Sequence, residues 1–140
     1  MVITDASVVF KWFDQAEEYF DQALKILNKH LAEDNIVVPD LFFYELANAW
    51  TTKSALSPKD IKLNLVKLES YKLNIESFTY NLIQKAVVFS KKYKVSLYDA
   101  SYAVLAKEKK CDLITADSKF VTQVNLFFVK DLGKYTEKKE

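Results

Sequence analysis

The chain has 140 residues, which is enough for one domain that buries most of its apolar surface without disulfide bonds or metal staples. Half of its residues are hydrophobic and 14% are aromatic, and this composition excludes intrinsic disorder. The 20 basic and 19 acidic side chains nearly cancel, so no overall charge points to a nucleic acid or a membrane as partner.

Rare residue types exclude several kinds of site. The single histidine, His30, lies among polar residues near the end of an amphipathic helix, so catalytic triads and histidine-based zinc sites are not expected. The single cysteine, Cys111, precedes an apolar pair and is expected to be a small core residue. The single glycine, Gly133, excludes glycine-rich phosphate loops. No apolar run has the length of a membrane span and no basic signal region opens the chain, so we expect a cytoplasmic protein without a membrane partner.

Hydrophobic periodicity predicts short apolar strands that alternate with amphipathic helices. The predicted strands are residues 1–4, 36–38, 73–78, 113–115 and 126–129. The predicted helices are residues 8–13, 15–31, 41–52, 58–68, 80–93 and 97–106, with a single turn at 118–122. Asp40 and Ser57 are the expected N-caps of the third and fourth helices. We predict one domain over residues 1–133 and a polar C-terminal tail over residues 134–140.

This alternation favours an α/β fold in which a parallel sheet lies between two helical layers. In such a sheet, ligands bind beyond the carboxyl ends of the strands, where the connections diverge. Asp5 and Asp117 each follow a predicted strand directly. Glu45 lies in the helix after the second strand and has Phe42 and Ala49 as apolar neighbours on the same face. The sequence therefore places three acids where a ligand is expected.

A fourth acid, Asp99, lies inside the least polar helix. From residue 97 to residue 106 nearly every side chain is apolar, aromatic or small, so this helix should be buried on most sides. An ionised carboxylate there costs several kcal/mol unless a cation or a set of donors compensates for the lost water. Two ordinary interpretations stay open: Asp99 as a helix N-cap, and Asp99 paired with one of the lysines.

Each acid has an ordinary interpretation alone, as a helix cap or a half-exposed helix residue, but the four together need a common explanation. Two carboxylates about 6 Å apart repel by about 3 kcal/mol at an effective dielectric constant near 20. A hard divalent cation such as Mg²⁺ or Mn²⁺ removes this repulsion, because it prefers carboxylate and water oxygens. Ser7 and Thr115 each lie two residues from an acid, close enough for their hydroxyls to orient a carboxylate.

With these residues assembled, the sequence resembles the PIN-domain family and in particular its VapC-like ribonuclease toxins. The segments that carry the resemblance span nearly the whole chain in the family's order. They are Asp5-Ala6-Ser7 with Lys11-Trp12-Phe13, Glu45 with Asn48, Tyr98-Asp99-Ala100 with Tyr102 and Leu105-Ala106, and Leu113-Ile114-Thr115-Ala116-Asp117 with Phe120.

The resemblance implies a five-stranded parallel sheet of order 3-2-1-4-5. It also implies a metal-dependent endoribonuclease whose site comprises Asp5, Glu45, Asp99 and Asp117 around one or two Mg²⁺ or Mn²⁺ ions, supported by Ser7, Thr115 and Asn48. The substrate would be single-stranded or loop RNA, and the partners a second copy of the chain and a cognate antitoxin. The chain has no arginine, so RNA contacts would come from lysines such as Lys11 and Lys119.

Other functions fit the residues less well. A receiver domain needs adjacent acids after the first strand, and a haloacid-dehalogenase-type phosphatase needs a second Asp two residues after Asp5, where Ser7 stands. A PIN-fold module used only for binding or assembly, or a PIN nuclease of RNA processing, stays open. The helices at 15–31 and 58–68 are expected to form a cleft for an apolar segment of the antitoxin, with homodimerisation elsewhere.

Overall fold

A computed structural model describes residues 1–136 of the chain. The strands are β1 (Val2–Thr4), β2 (Ile36–Pro39), β3 (Asn74–Glu76), β4 (Asp112–Thr115) and β5 (Val129–Asp131). The helices are α1 (Ala6–Lys11), α2 (Phe20–Glu33), α3 (Phe42–Thr52), α4 (Pro58–Ser70), α5 (Tyr80–Tyr93), α6 (Leu97–Lys109) and α7 (Ser118–Val124), and a 3-10 turn (Leu132–Lys134) follows β5. The five strands form one parallel sheet of order β3-β2-β1-β4-β5, which confirms the predicted fold.

The middle of the sheet forms because its strands are apolar on both faces. Ile3 of β1 lies opposite Val37 of β2 on one side and Leu113 of β4 on the other. Ile3 and Leu113 have no exposed surface. Strands of this composition are stable only when helices cover both faces of the sheet, as they do here. Consequently the carboxyl ends of β1 and β4 are fixed side by side at one edge of the core.

Helix α6 is the most deeply buried helix among the described residues, as predicted. Its residues Ala100–Ala106 are all buried, and the helix contacts β1, β2 and β4 as well as α5. Ala100, Ala103 and Ala106 have no exposed surface, and such small side chains allow the helix to approach the sheet closely. This packing fixes the start of α6, where Asp99 lies, relative to the ends of β1 and β4.

Helix α2 begins five residues later than predicted, at Phe20 rather than residue 15. The Asp14 carboxylate accepts a hydrogen bond from the Ala16 N–H at 2.9 Å, which stabilises a turn instead of a helix. Tyr19 then adopts a left-handed conformation with φ 60°, which no α-helix tolerates in its interior. The apolar periodicity that begins at residue 16 therefore predicted one helical turn too many at the start of α2.

Two further element predictions were wrong. Asp40 does not cap α3, because its side chain makes no cap hydrogen bond and Leu41 occupies the N-cap position. Strand β5 begins at Val129 rather than residue 126, because the Val129 N–H bonds the Leu126 carbonyl in a turn and Phe127 is 85% exposed. The predicted cap Ser57 is confirmed, since it forms a reciprocal capping box with Asp60.

The predicted tail, residues 134–140, lies partly outside the described residues. Lys134 ends the 3-10 turn, and Tyr135 packs against the core, so ordered packing extends slightly beyond the predicted domain boundary. Residues 137–140 lie outside the described part. Within residues 1–136, no helix combines the length and the apolar character needed to span a membrane.

His30 is a core residue rather than a polar surface residue. It is 3% exposed, and its Nδ1 accepts hydrogen bonds from the N–H groups of Asn35 and Ile36 at 3.1 and 2.9 Å. Its Nε2 lies 2.9 Å from the Tyr71 carbonyl, so the neutral ring must carry its proton on Nε2 and donate it there. The ring therefore ties α2 to the start of β2 and to the end of α4.

Replacing His30 by Phe keeps the aromatic volume but leaves two N–H donors and one carbonyl without partners. We expect the free energy of unfolding to fall by about 2–4 kcal/mol, measured by urea denaturation at neutral pH. The control is Asn28→Ala on the exposed side of the same helix, which should change stability by less than about 0.5 kcal/mol. Equal stability of the two variants would contradict a structural role for His30.

Candidate active site

All four predicted acids line one cavity of about 500 Å³ at the carboxyl ends of β1 and β4. Asp5 follows β1, Asp117 follows β4 by one residue, and Glu45 and Asp99 come from α3 and α6. The lining residues are Asp5, Ala6, Ser7, Phe10, Lys11, Glu17, Glu45, Ala49, Lys53, Asp99, Tyr102, Ala116 and Asp117. Elements far apart in the sequence thus bring the acids to one place, where a parallel α/β sheet is expected to bind its ligand.

Asp5 is the most buried of the four, with 7% of its surface exposed. Its Oδ1 accepts hydrogen bonds from the Ser7 hydroxyl at 2.5 Å and from the N–H groups of Ser7 and Val8 at 3.1 and 3.3 Å. Its Oδ2 accepts one from the Thr115 hydroxyl at 2.5 Å. Burial raises the pKa of Asp5, and these hydrogen bonds oppose that rise. Asp5 is therefore both the N-cap of α1 and a fixed acid of the cavity.

Ser7 and Thr115 connect the first acid to the fourth. The Ser7 hydroxyl accepts a hydrogen bond from the Ala116 N–H at 3.0 Å, and the Thr115 hydroxyl accepts one from the Asp117 N–H at 3.1 Å. Asp117 in turn accepts from the Phe120 N–H at 3.1 Å and caps α7, while its side chain stays exposed. The two hydroxyls therefore fix the backbone that carries Asp117 relative to the Asp5 carboxylate.

Asp99 is neither the helix cap nor the partner of a lysine. Ser96 is the N-cap of α6, and its side chain accepts from the Asp99 N–H at 3.0 Å. Within residues 1–136, no lysine forms an ion pair with Asp99. Burial, together with the charges of Asp5 and Asp117, raises the pKa of Asp99 from 3.8 to about 6, and the hydrogen bond with Ser96 opposes this rise. The cavity therefore holds a carboxylate that takes up a proton easily.

Glu45 reaches the cavity from α3, and one of its oxygens, Oε1, is buried without a hydrogen-bond partner in the described residues. Burial raises the pKa of Glu45, the nearby Tyr102 hydroxyl opposes the rise, and the charges of Asp5 and Asp99 add to it. The Tyr102 hydroxyl faces Glu45 but is also buried without a well-aligned hydrogen bond. Burial and the charges of Glu45 and Asp5 strongly raise the pKa of Tyr102, and the Ala6 backbone opposes this rise.

Two lysines approach the acids. Lys11 has a side chain that is 11% exposed, and it pairs with Glu17 at 3.8 Å. Lys53 is exposed at the end of α3 and lowers the pKa of Glu45. Of the other predicted residues, Asn48 and Lys119 are exposed and do not line the cavity.

Three polar lining residues, Glu17, Lys53 and Tyr102, were not predicted as site residues, although Tyr102 belongs to a segment that carries the family resemblance. Glu45, Ala49 and Lys53 follow one another at steps of four, so helical spacing could have indicated Lys53. Tyr102 lies one turn after Asp99 on the same helix, which is a similar signal. Glu17 lies in an irregular segment before α2, where no periodicity predicts a direction.

The donor set fits a hard divalent cation in its chemistry. All four predicted ligands are carboxylates, and Glu45 Oε1 is a buried acceptor that lacks a donor. The acids also raise one another's pKa values, which an added positive charge would reverse. Within residues 1–136, no three acidic, histidine or cysteine side chains already stand close enough to enclose an ion. The cavity thus has the oxygen donors that Mg²⁺ and Mn²⁺ prefer, but these donors do not yet surround a position for an ion.

The raised pKa of Asp99 predicts how stability depends on pH. The pKa of Asp99 is about 6 in the folded state and near 3.8 in the unfolded state, so the folded state binds the proton more tightly. The resulting contribution of Asp99 to the free energy of unfolding is fully present below pH 3.8 and is lost as pH rises through about 6. Two pH units correspond to about 3 kcal/mol, and solvent screening of this partly exposed group reduces that to about 1–2 kcal/mol. Asp99→Asn should therefore raise metal-free stability at pH 7.5 but not at pH 4.

Urea denaturation at both pH values in the presence of a chelator measures this effect. Glu69→Gln, an exposed residue of α4, serves as the control and should leave the pH dependence unchanged. If Asp99→Asn were less stable than the wild type at pH 7.5, the Asp99 carboxylate would be stabilised by favourable contacts and not repelled by the neighbouring carboxylates.

Comparison with known proteins supports the fold from two directions. A family model for the PIN domain matches residues 2–123. The chain resembles the crystal structure of PAE2754 from Pyrobaculum aerophilum, with TM-score 0.69 and 19% identity over 94% of this chain and 89% of that one. It also resembles the sarcin-ricin loop cleaving toxin VapC20 of Mycobacterium tuberculosis, with TM-score 0.66 and 14% identity over 92% and 97%.

A third similar structure is a toxin-antitoxin complex from Klebsiella pneumoniae, with TM-score 0.64 and 17% identity over 86% of this chain and 90% of that one. No curated protein matches the chain. The structural likenesses, at such low identity, establish the fold, and the family match covers most of the chain together with all four acids. The chain belongs to the PIN-domain family.

Proposed function

We propose that the protein is a Mg²⁺- or Mn²⁺-dependent endoribonuclease that cleaves single-stranded or loop RNA in the cytoplasm. The observation that carries this proposal is the convergence of Asp5, Glu45, Asp99 and Asp117 on one cavity, with a buried acceptor oxygen left unpaired. Membership of the PIN-domain family supports a nuclease. A fold shared with a toxin that cleaves the sarcin-ricin loop supports RNA as the substrate.

Each of the four acids has a distinct part in the proposed reaction. The bound cation, one ion or two, supplies Lewis acidity toward the phosphate and makes water a better nucleophile. Asp5, fixed by its hydrogen bonds, would hold the cation together with Asp117 and Glu45, which line the same cavity. Asp99 lines the same cavity, where it would help to hold the cation and would accept the proton of the attacking water. His30 cannot do so, since it is buried among backbone groups.

The lysines of the cavity account for substrate binding. Lys53 forms no ion pair with the described residues, so its ammonium group is available to a phosphate oxygen. Lys11 stands deeper and is already paired with Glu17, so it contacts RNA only if that pair opens. Lys119 is exposed in the first turn of α7 and is placed to contact a more distant phosphate.

We further propose that the nuclease is a toxin that an antitoxin neutralises. Helix α4 buries only Leu68, while Leu63 and Val66 are each 60% exposed and Leu31 of α2 is 54% exposed. Exposed apolar side chains on two helices favour a surface that an apolar partner segment covers. The exposed Val88 of α5 supports a homodimer contact elsewhere. A nuclease of RNA processing would use the same cavity without needing this surface, and an assembly module would not need the four acids.

The first test is cleavage by the purified protein. Single-stranded RNA should be cut with Mg²⁺ or Mn²⁺, EDTA should abolish cleavage, and added Mn²⁺ should restore it. Because water attacks the phosphorus and the 3′-oxygen leaves, the products should carry 5′-phosphate and 3′-hydroxyl ends, which end-specific enzymes detect. Cleavage that survives EDTA, or products with cyclic phosphate, would contradict the proposal. Asp117→Asn is the control, which should be inactive. It should still fold, because the side chain of Asp117 is exposed.

A second test asks whether Asp99 belongs to the cation site. Mn²⁺ at about 100 times its dissociation constant should stabilise the wild-type protein by about 2.7 kcal/mol, since it binds only the folded state. The shift in melting temperature should be clearly smaller for Asp99→Asn, and cleavage should fall by about two orders of magnitude or more. Glu69→Gln should respond to Mn²⁺ as the wild type does. Equal shifts in wild type and Asp99→Asn would remove Asp99 from the site.

A further inference from the structure

Tyr102 is a core residue with one polar atom that the core does not satisfy. It is 1% exposed, and its ring is among the largest fully buried side chains of the described residues. Its hydroxyl is buried without a hydrogen-bond partner and lines the cavity of the four acids. Buried hydroxyl groups nearly always have a partner, so this exception needs an explanation.

The same cavity contains the matching acceptor. Glu45 Oε1 is also buried and also lacks a hydrogen-bond partner within residues 1–136. The two groups interact, since the Tyr102 hydroxyl lowers the pKa of Glu45, yet they are not aligned well enough to form a hydrogen bond. A donor and an acceptor therefore lie near each other in the wall of the cavity, one from α6 and one from α3.

We propose that Tyr102 is a positioning residue for Glu45, whose carboxylate its hydroxyl holds in the orientation that ligates the cation. This rests on the proposed function of the cavity. A phenol keeps its proton at neutral pH, so toward a carboxylate it acts only as a donor. A donor on one carboxylate oxygen fixes the plane of the group and directs the other oxygen. With a cation bound, Glu45 would be held as a ligand and its other oxygen would accept the hydrogen bond of the Tyr102 hydroxyl.

A purely structural tyrosine would behave differently. The ring alone fills its place in the core, and a phenylalanine would fill it equally well without a buried unsatisfied hydroxyl. Because the hydroxyl makes no well-aligned hydrogen bond, we expect it to contribute little to the stability of the metal-free fold. Its contribution is expected only when the cation is bound, which separates a positioning role from a packing role.

The experiment compares Tyr102→Phe with the wild type and with Tyr98→Phe. Tyr98 lies four residues earlier on the same helix, is 59% exposed and does not line the cavity. For Tyr102→Phe we expect an unchanged or higher melting temperature without metal, about 10-fold weaker Mn²⁺ binding by calorimetry, and kcat about 10- to 100-fold lower. The KM for RNA should change less than about 2-fold, because the hydroxyl does not contact the substrate. Tyr98→Phe should match the wild type in all four measurements.

A double-mutant cycle with Glu45→Gln tests whether Tyr102 acts through Glu45. If it does, Tyr102→Phe should weaken Mn²⁺ binding far less in the Glu45→Gln background than in the wild type. Additive losses, or a lower metal-free melting temperature with unchanged Mn²⁺ affinity, would overturn the proposal. Wild-type protein that binds Mn²⁺ but cleaves no RNA would refute the proposed function, while the Mn²⁺ affinities would still decide the role of Tyr102.

Discussion

The structure depends on one buried carboxylate, Asp5, which hydrogen-bond donors hold in place and with which no lysine of the described residues forms an ion pair. Asp5 ends β1, caps α1 and accepts a hydrogen bond from Thr115 at the end of β4. Ionisation in a nearly water-free position is costly, and the donors recover only part of the lost hydration, as the raised pKa shows. The fold therefore keeps an acid where a hydrophobic residue would be more stable, which is understandable if the acid serves a ligand.

The hydrogen bonds that satisfy Asp5 also place its neighbours. The Ser7 and Thr115 hydroxyls each donate to Asp5 and each accept from the backbone that leads to Asp117. Parallel pairing of β1 with β4 makes this possible, because it brings the two strand ends together although the residues are far apart in the chain. The buried helix α6 then supplies Asp99 from across the sheet ends. Fold and site thus share the same contacts, so a change in either alters both.

The sequence predicts the parts of this arrangement that depend on local pattern. Asp5 follows an apolar strand directly, Asp117 follows one after a single residue, and Asp99 interrupts an apolar helix, so all three are conspicuous in the chain. Contacts between distant segments leave no such pattern: nothing local indicates that His30 bonds the Tyr71 carbonyl or that Tyr102 faces Glu45. The apolar run before β5 predicted a strand too early because exposed Phe127 has the composition of a strand residue while the backbone forms a turn.

The proposed cation would also neutralise the carboxylates of the cavity, besides its part in the chemistry. Five carboxylates, the four acids and Glu17, line the cavity against two lysines, Lys11 and Lys53, an excess of three negative groups when all are ionised. A phosphodiester backbone would be repelled by such a cavity. In the proposed function, one divalent ion would leave an excess of one negative charge and two ions would leave one positive charge, so two ions would suit bound RNA better. The proposed cation would then be needed to admit the substrate as well as to cleave it, because a phosphate would approach only after the carboxylates are neutralised.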